Sequence, residues 1–97
     1  MKIFKEPVGF EWDKGNKNKN FLKHRVTDEE CEEVFFDNQK RVSGDILHPN
    51  HEVRYILIGQ TKKQRLLFVV CTTRKEKIRI ISARDLNKKE KSLYEKT

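Results

Sequence analysis

The sequence predicts an α+β fold: a short N-terminal strand, two helices, an antiparallel β-meander and a C-terminal helix. Three observations carry this. Thr27-Asp28-Glu29-Glu30 is a capping box that opens an apolar stripe at helical spacing. Three strand-like runs between residues 53 and 84 are separated only by short polar turns, the pattern of a meander. The chain of 97 residues is too short for two independent cores, so residues 1–97 form one domain.

Taken in order, Phe10-Glu11-Trp12 alternates aromatics with a charge after Gly9 and reads as a short strand. Asp13 suits an N-cap or a turn, and a helix is expected over residues 16–24 although Asn and Gly are weak helix formers. In the next helix Thr27 accepts from the amide of Glu30 and Glu30 reaches back, while clustered acids favour the positive end of the dipole. Cys31, Val34 and Phe35 fall at i, i+3 and i+4, which makes Cys31 a small core residue. Gln39 to Ser43 is a weak strand, followed by a turn-rich connection at Gly44-Asp45 and Pro49-Asn50. Val53 to Gly59 alternates as a strand, and Gln60 to Lys63 is the hairpin loop. Leu66 to Cys71 is apolar on both faces, as a covered central strand would be. Thr72 to Lys77 turns the chain, Ile78 to Arg84 is the last strand, and Asn87-Lys88-Lys89-Glu90 caps a closing helix carrying Leu93 and Tyr94.

Hydrophobic residues make up 35% and charged residues 38%, so the core is small and the surface strongly solvated. The longest apolar run, Leu66 to Cys71, is far short of the roughly 18 residues of a membrane span. Met1 to Glu6 lacks the apolar segment of a signal peptide. Cys31 and Cys71 fit neither a disulfide framework nor zinc spacing. A soluble cytoplasmic protein with reduced thiols and no membrane contact is expected.

Charge is distributed in blocks within a net +7. Residues 1–26 hold seven Lys/Arg against three acids, residues 27–38 hold six acids and no base, and residues 60–97 hold twelve bases against four acids. Two basic segments point to a polyanion partner, with a solvated basic surface as the other reading. The acidic block predicts a basic partner or an internal counterweight.

His48 and His51, with Asp45 and Glu52, are better read as surface polarity than as a metal site, because a single Pro-Asn loop is a poor ligand frame. His24, beside Lys23 and Arg25, is either a dipole-complementing helix end or a functional base. No Gly-rich phosphate loop, nucleophile elbow or spaced carboxylate pair occurs, so P-loop hydrolysis and metal-dependent nuclease chemistry have no motif behind them. Arg54, Arg79 and Arg84 lie on strands, Arg79 sharing a face with Ile81 and Ala83, and Arg54 with Ile56 and Ile58. Aligned guanidinium groups suit phosphate through bidentate charge-assisted hydrogen bonds. A packed stem with a solvated head is the alternative. Removing Arg79 or Arg84 is expected to leave the fold intact.

Phe10-x-Trp12-Asp13, Asn20-x-x-Lys23-His24-x-Val26, Phe35-x-Asp37, Arg54-x-x-x-x-Gly59 and Arg79-Ile80-Ile81-Ser82-Ala83-Arg84, followed by Glu90 and Tyr94, resemble the BrnT family. That family comprises toxins of bacterial type II toxin–antitoxin systems with a RelE-like ribonuclease fold. Gly15-Asn16 departs from the better helix formers frequent among relatives. The resemblance implies a metal-independent endoribonuclease that blocks translation, needs no cofactor and uses no metal. It also implies a BrnA-type ribbon-helix-helix antitoxin, binding operator DNA itself and forming a heterotetramer of two toxins and two antitoxins. The catalytic candidates are Arg54, Arg79, Arg84, Tyr94 and His24, with Lys23, Arg74, Lys88 and Lys89 as RNA-binding candidates. Tyr94 has two readings, proton transfer or a packed aromatic with a wet hydroxyl, and Trp12 fits an anchor better than a base-stacking platform. A catalytically silent nucleic-acid-binding or antitoxin-binding module is the alternative function.

Overall fold

Four strands pair in chain order into one antiparallel sheet: β1 (Arg41–Leu47), β2 (Val53–Gln60), β3 (Leu66–Arg74) and β4 (Lys77–Asp85). Two short helices, α1 (Lys19–His24) and α2 (Asp28–Glu33), precede the sheet, and a 3-10 turn over Val34–Phe36 continues α2. A third helix, α3 (Lys88–Glu95), follows it. This computed structural model describes residues 9–47 and 53–96, with the backbone alone for residues 45–47.

The two faces of the sheet carry separate apolar clusters. On one face Leu57, Leu67, Val69, Cys71, Ile78, Ile80 and Ala83 pack against Val26, Cys31, Val34 and Phe35 of the helical layer. On the other, Ile58, Leu66 and Phe68 pack beneath Leu86 and Tyr94 at the α3 end. Alternation along β3 supplies both sets, which is why its sequence is apolar throughout. Both capping boxes form: Thr27 Oγ1 accepts from the Glu30 amide at 3.0 Å, and Asn87 Oδ1 from the Glu90 amide at 2.9 Å.

Several boundaries differ from expectation. The N-terminal strand is a single parallel bridge, Phe10 to Ile78, in which the Glu11 amide donates to Ile78 O at 2.8 Å and the Ile78 amide to Gly9 O at 2.9 Å. α1 starts at Lys19, not at residue 16, because Asn18 is left-handed and the Asn16 side chain turns inward to accept from the Asp13 amide at 2.8 Å. Gly44-Asp45, expected in a turn, lies inside β1 at a register shift between Ser43 and Ile46. Gln60 belongs to β2 rather than to the hairpin loop. The turn expected over residues 72–77 contracts to Lys75-Glu76, both at positive φ (48° and 67°), which matches the right-handed twist of a two-residue hairpin. Pro49-Asn50, His48 and His51 lie outside the described residues.

Arg65, in the β2–β3 hairpin, ties the layers together. Its guanidinium donates to both Asp85 oxygens (2.7 and 3.1 Å), to Glu30 Oε1 (3.1 Å) and to the carbonyls of Arg25 (2.8 Å) and His24 (3.4 Å). It thereby satisfies orphan carbonyls where α1 ends. Of the two readings of the acidic block, a basic partner or an internal counterweight, the α2 contacts follow the second. Glu30 meets Arg65, Glu32 accepts from Trp12 Nε1 at 2.7 Å, Glu33 accepts from the Lys62 amide, and Asp28 from the Asn18 amide. Trp12 is accordingly an anchor of the helical layer.

Both thiols are buried and free, and burial pushes each up to about 12 from an ordinary value near 9. Acids of α2 add to the shift at Cys31. Neither is a nucleophile at neutral pH. The stabilisation is fully present below pH 9 and is lost as pH rises toward 12, where the unfolded chain releases protons that the folded one retains. Melting temperature followed from pH 8 to 11 should fall less steeply in a Cys31→Ala/Cys71→Ala variant than in the parent chain. An equal slope would contradict this origin. Arg65→Ala should lower stability on the order of 2 kcal/mol by chemical denaturation, since several charge-assisted hydrogen bonds go while the exposed Asp85 is resolvated.

Candidate functional site

Arg54 and Arg79 rise from the sheet face opposite the helical layer. Thr72 pairs with Arg79 across the β3–β4 ladder, and Arg54 stands one step beyond the Tyr55–Cys71 pair on the other side of Thr72. Thr72 is nearly buried, and its hydroxyl donates to Val53 O at 2.8 Å. Together with Arg74, Gly15 and Ile81 these residues line a cavity of about 200 Å³. Three arginine residues thus line one small recess.

The recess is wired to the N-terminal segment. Arg79 makes a bidentate pair with Asp13, Nη1 to Oδ2 at 2.7 Å and Nη2 to Oδ1 at 3.0 Å, and adds Glu11 Oε1 at 3.0 Å. Arg74 Nη1 lies 3.7 Å from the same Glu11 oxygen. The hydrogen bonds from Arg79 hold the Asp13 carboxyl below the usual carboxylate range, and the same pairing raises Arg79. Gly15 makes the approach sterically feasible: a Cβ there would lie 2.6 Å from Arg79 Nη2 and 3.0 Å from Asp13 Oδ1. The departure from helix-forming residues at Gly15-Asn16 therefore has a local cause.

Arg84 projects from the same face about four residues along the sheet, roughly 13 Å at strand rise. Its guanidinium lies 4.1 Å from the centroid of the Phe68 ring and pairs bidentately with Glu90 at 2.8 and 2.9 Å. This pairing lowers the Glu90 carboxyl, which also accepts from the Asn87 amide in the α3 cap. Lys88 and Lys89 are exposed in the first turn of α3, beside this pair. Between the two arginine positions Ser43 and Ser82 are exposed and Ile56, Val70 and Ile81 half-buried.

The expected common face for Arg79, Ile81 and Ala83 does not form. A β-bulge leaves Ile81 without a partner, since Val70 faces Ser82 and Cys71 faces Ile80. Ala83 then joins Ile78 and Ile80 in the helical-side core, while Arg84 returns to the face of Arg79. Among the remaining candidates, Tyr94 donates its hydroxyl to Asp37 Oδ2 at 2.7 Å, with Gln60 Oε1 at 3.3 Å, in a different recess lined also by Phe36. Burial and Asp37 push this phenol up to about 12. Lys23 and His24 sit at the end of α1 in the helical layer, where the His24 carbonyl meets Arg65. None of Tyr94, Lys23 and His24 lines the arginine cavity.

Two residues quoted in the sequence motifs, Asn16 and Asn20, have structural roles that the sequence did not indicate. They are 3% and 4% exposed and bond to β4 backbone, and weak helix propensity alone marks them in the sequence. Among the described residues, no three His, Cys, Asp or Glu side chains come together as a metal-binding group. No helix there is long and apolar enough to cross a membrane.

The fold and site define a small basic α+β protein with an arginine-lined recess on one face of an antiparallel sheet. The chain belongs to the family of BrnT ribonuclease toxins of type II toxin–antitoxin systems, whose sequence model it matches over residues 12–90. The match begins at Trp12 and ends at Glu90, so it includes the recess and the Arg84 pair. No curated protein matches the chain significantly. Membership makes it a toxin of ribonuclease type with an antitoxin partner.

Arg79, with a side chain 13% exposed and three carboxylate hydrogen bonds, joins residues 11–13 to β4, which bears against the expectation that its removal leaves the fold intact. Arg79→Ala should lower the melting temperature, and Arg79→Lys should recover only part of the loss because an ammonium lacks the bidentate fork. Gly15→Ala should move the melting temperature in the same direction. Thermal melts of the three variants check this; an unchanged Arg79→Ala would contradict it.

Proposed function

We propose that this chain is a metal-independent endoribonuclease that inhibits translation and acts in the cytoplasm. The observation that carries the proposal is the convergence of Arg54, Arg74 and Arg79 on one recess of the sheet. In such a reaction the ribose 2′-oxygen gives up its proton as it bonds to the adjacent phosphorus, and the 5′-oxygen takes one up as its bond to phosphorus breaks. Both protons are exchanged with solvent in this reading, leaving a 2′,3′-cyclic phosphate and a 5′-hydroxyl. Charge accumulates on the equatorial phosphoryl oxygens, and positioned guanidinium forks stabilise it more than they stabilise the ground state. Arg54, Arg74 and Arg79 serve as this clamp in our reading. Arg84, with Lys88 and Lys89, holds a further phosphate of the same strand. Glu11 and Asp13 keep Arg79 in a fixed orientation, so less ordering accompanies substrate binding.

Tyr94, Lys23 and His24 receive no proton-transfer role in this proposal, because their side chains lie away from the recess. The RelE-like character of the fold belongs to the same reading; helices preceding a four-stranded antiparallel meander support it. The partner we propose is a BrnA-type ribbon-helix-helix antitoxin, two toxins assembling on one antitoxin dimer, with operator DNA bound by the antitoxin. Net charge of +7 supports an acidic or amphipathic antitoxin segment laid over the basic face. One observation favours the alternative of a silent binding module: Arg79 and Arg84 are each already paired with carboxylates.

Purified protein incubated with RNA in excess EDTA should yield fragments with 2′,3′-cyclic phosphate and 5′-hydroxyl ends. Arg54→Ala should slow cleavage roughly 100-fold, the scale of removing one transition-state donor. Strict Mg²⁺ dependence or 5′-phosphate ends would overturn the mechanism, and RNA binding without cleavage would establish the silent module.

A further inference from the structure

Arg79 and Arg84 are five residues apart on one strand, and in a regular strand an odd separation places side chains on opposite faces. Here both face the same way: Arg79 pairs with Thr72 and Arg84 with Phe68, which are four apart on β3. The bulge at Ile81 produces this change of phase. β4 is an edge strand, so the phase is equally visible along its open side. There the Ile78 amide and carbonyl bond to Gly9 O and the Glu11 amide. The Ile80 carbonyl accepts from Asn16 Nδ2 at 3.0 Å, and the Ala83 amide donates to Asn20 Oδ1 at 3.0 Å. The outward groups are those of residues 78, 80 and 83. An unbulged strand would present those of 78, 80 and 82 instead. The partner of Asn16, residue 80, is outward in either phase, whereas the partner of Asn20, residue 83, is outward in the bulged phase alone.

We infer that Asn20, together with Asn16, is a positioning residue of the ribonuclease site: it selects the bulged phase of β4 and so aligns Arg79 and Arg84 on one RNA-binding face. The inference rests on the phosphate-clamp reading above. Asn20 is held in a single amide orientation, because only Oδ1 can accept from the Ala83 amide. Its Nδ2 is then left buried without a partner, an unfavourable arrangement that an apolar residue of the same size would avoid. What Asn20 supplies that an apolar residue cannot is the acceptor for Ala83. Asn16 holds the other flank and, through Glu11 O at 2.9 Å and the Asp13 amide, ties the bulge to the segment that grips Arg79.

The test is a double-mutant cycle read by affinity for a 2′-O-methylated single-stranded RNA oligonucleotide, which cannot be cut through its 2′-oxygen. Folding of each variant is verified by circular dichroism. Arg84→Ala is measured in the parent chain and in Asn20→Ala. If Asn20 acts by aligning Arg84, Asn20→Ala weakens binding and Arg84→Ala costs less in that background, by a factor of about three or more. Asn20→Asp, which retains an acceptor for the Ala83 amide, should recover part of the affinity. Asn16→Asp keeps the acceptor for the Asp13 amide and removes the donors to Glu11 O and Ile80 O. It is read in the same cycle and decides the matter should Asn20→Ala not fold. Additive effects in every folded variant would overturn the positioning role while leaving the clamp standing. No loss of affinity in Arg84→Ala itself would overturn the further phosphate contact assigned to Arg84 and, with it, the positioning role.

Discussion

The structure depends on how β4 is held along its outer edge. An edge strand exposes a row of unpaired amides and carbonyls, and here residues 9–20 cover that row with two backbone hydrogen bonds and two buried asparagine side chains. The same contacts fix where β4 bulges, and the bulge decides which side chains enter the helical core and which face outward. Ile78, Ile80 and Ala83 go inward, while Arg79 and Arg84 go outward. A purely apolar segment could cover the edge, but it could not specify the position of the phase change.

Electrostatics follow from that geometry. Three arginines have acidic neighbours from other elements: Arg79 has Glu11 and Asp13, Arg84 has Glu90, and Arg65 has Glu30 and Asp85. The acids of α2, which look like a block in the sequence, disperse into a helix cap, an indole anchor and a hairpin contact. The chain thus uses five of its fifteen acids to orient these cations, and a positive surplus remains. At 38% charge such placement matters, because an unassigned charge near the sheet would incur desolvation with no compensating partner.

Much of the fold was legible because local signals agreed with one another. The Thr27 and Asn87 capping boxes, the Cys31–Val34–Phe35 stripe and the doubly apolar β3 each have one dominant structural solution. The strand phase of Arg79 and Ala83 was not legible, since regular alternation is the default and a bulge leaves no sign in Ile80-Ile81-Ser82. Gly44-Asp45 misled for a related reason: turn residues also suit a strand irregularity. Asn16 and Asn20 appear in sequence as poor helix formers, and only the edge of β4, sixty residues away, gives them a purpose. The convergence of Arg74 with Arg54 and Arg79 required knowing that the β3–β4 turn is two residues long.

The carboxylates around Arg79 and Arg84 bear directly on how a nucleic acid would be received. A guanidinium already held by a carboxylate has given up its rotamer freedom, so a phosphate meets a rigid donor array. The fork has five donors, and three are taken in Arg79 and in Arg84, so the remaining two, on Nε and Nη2, can still face an incoming oxygen. The attraction is weaker than that of a bare cation, because each pair is nearer to neutral when seen from a distance. Discrimination therefore shifts from net charge to geometry: a phosphate benefits only where it can reach the unshared edge of the fork. Arg74, Lys88 and Lys89 around the two pairs supply the longer-range positive field. In the proposed reading the exposed lysines contribute attraction alone, the arginines contribute alignment as well, and Asn16 and Asn20 serve alignment through their hold on β4.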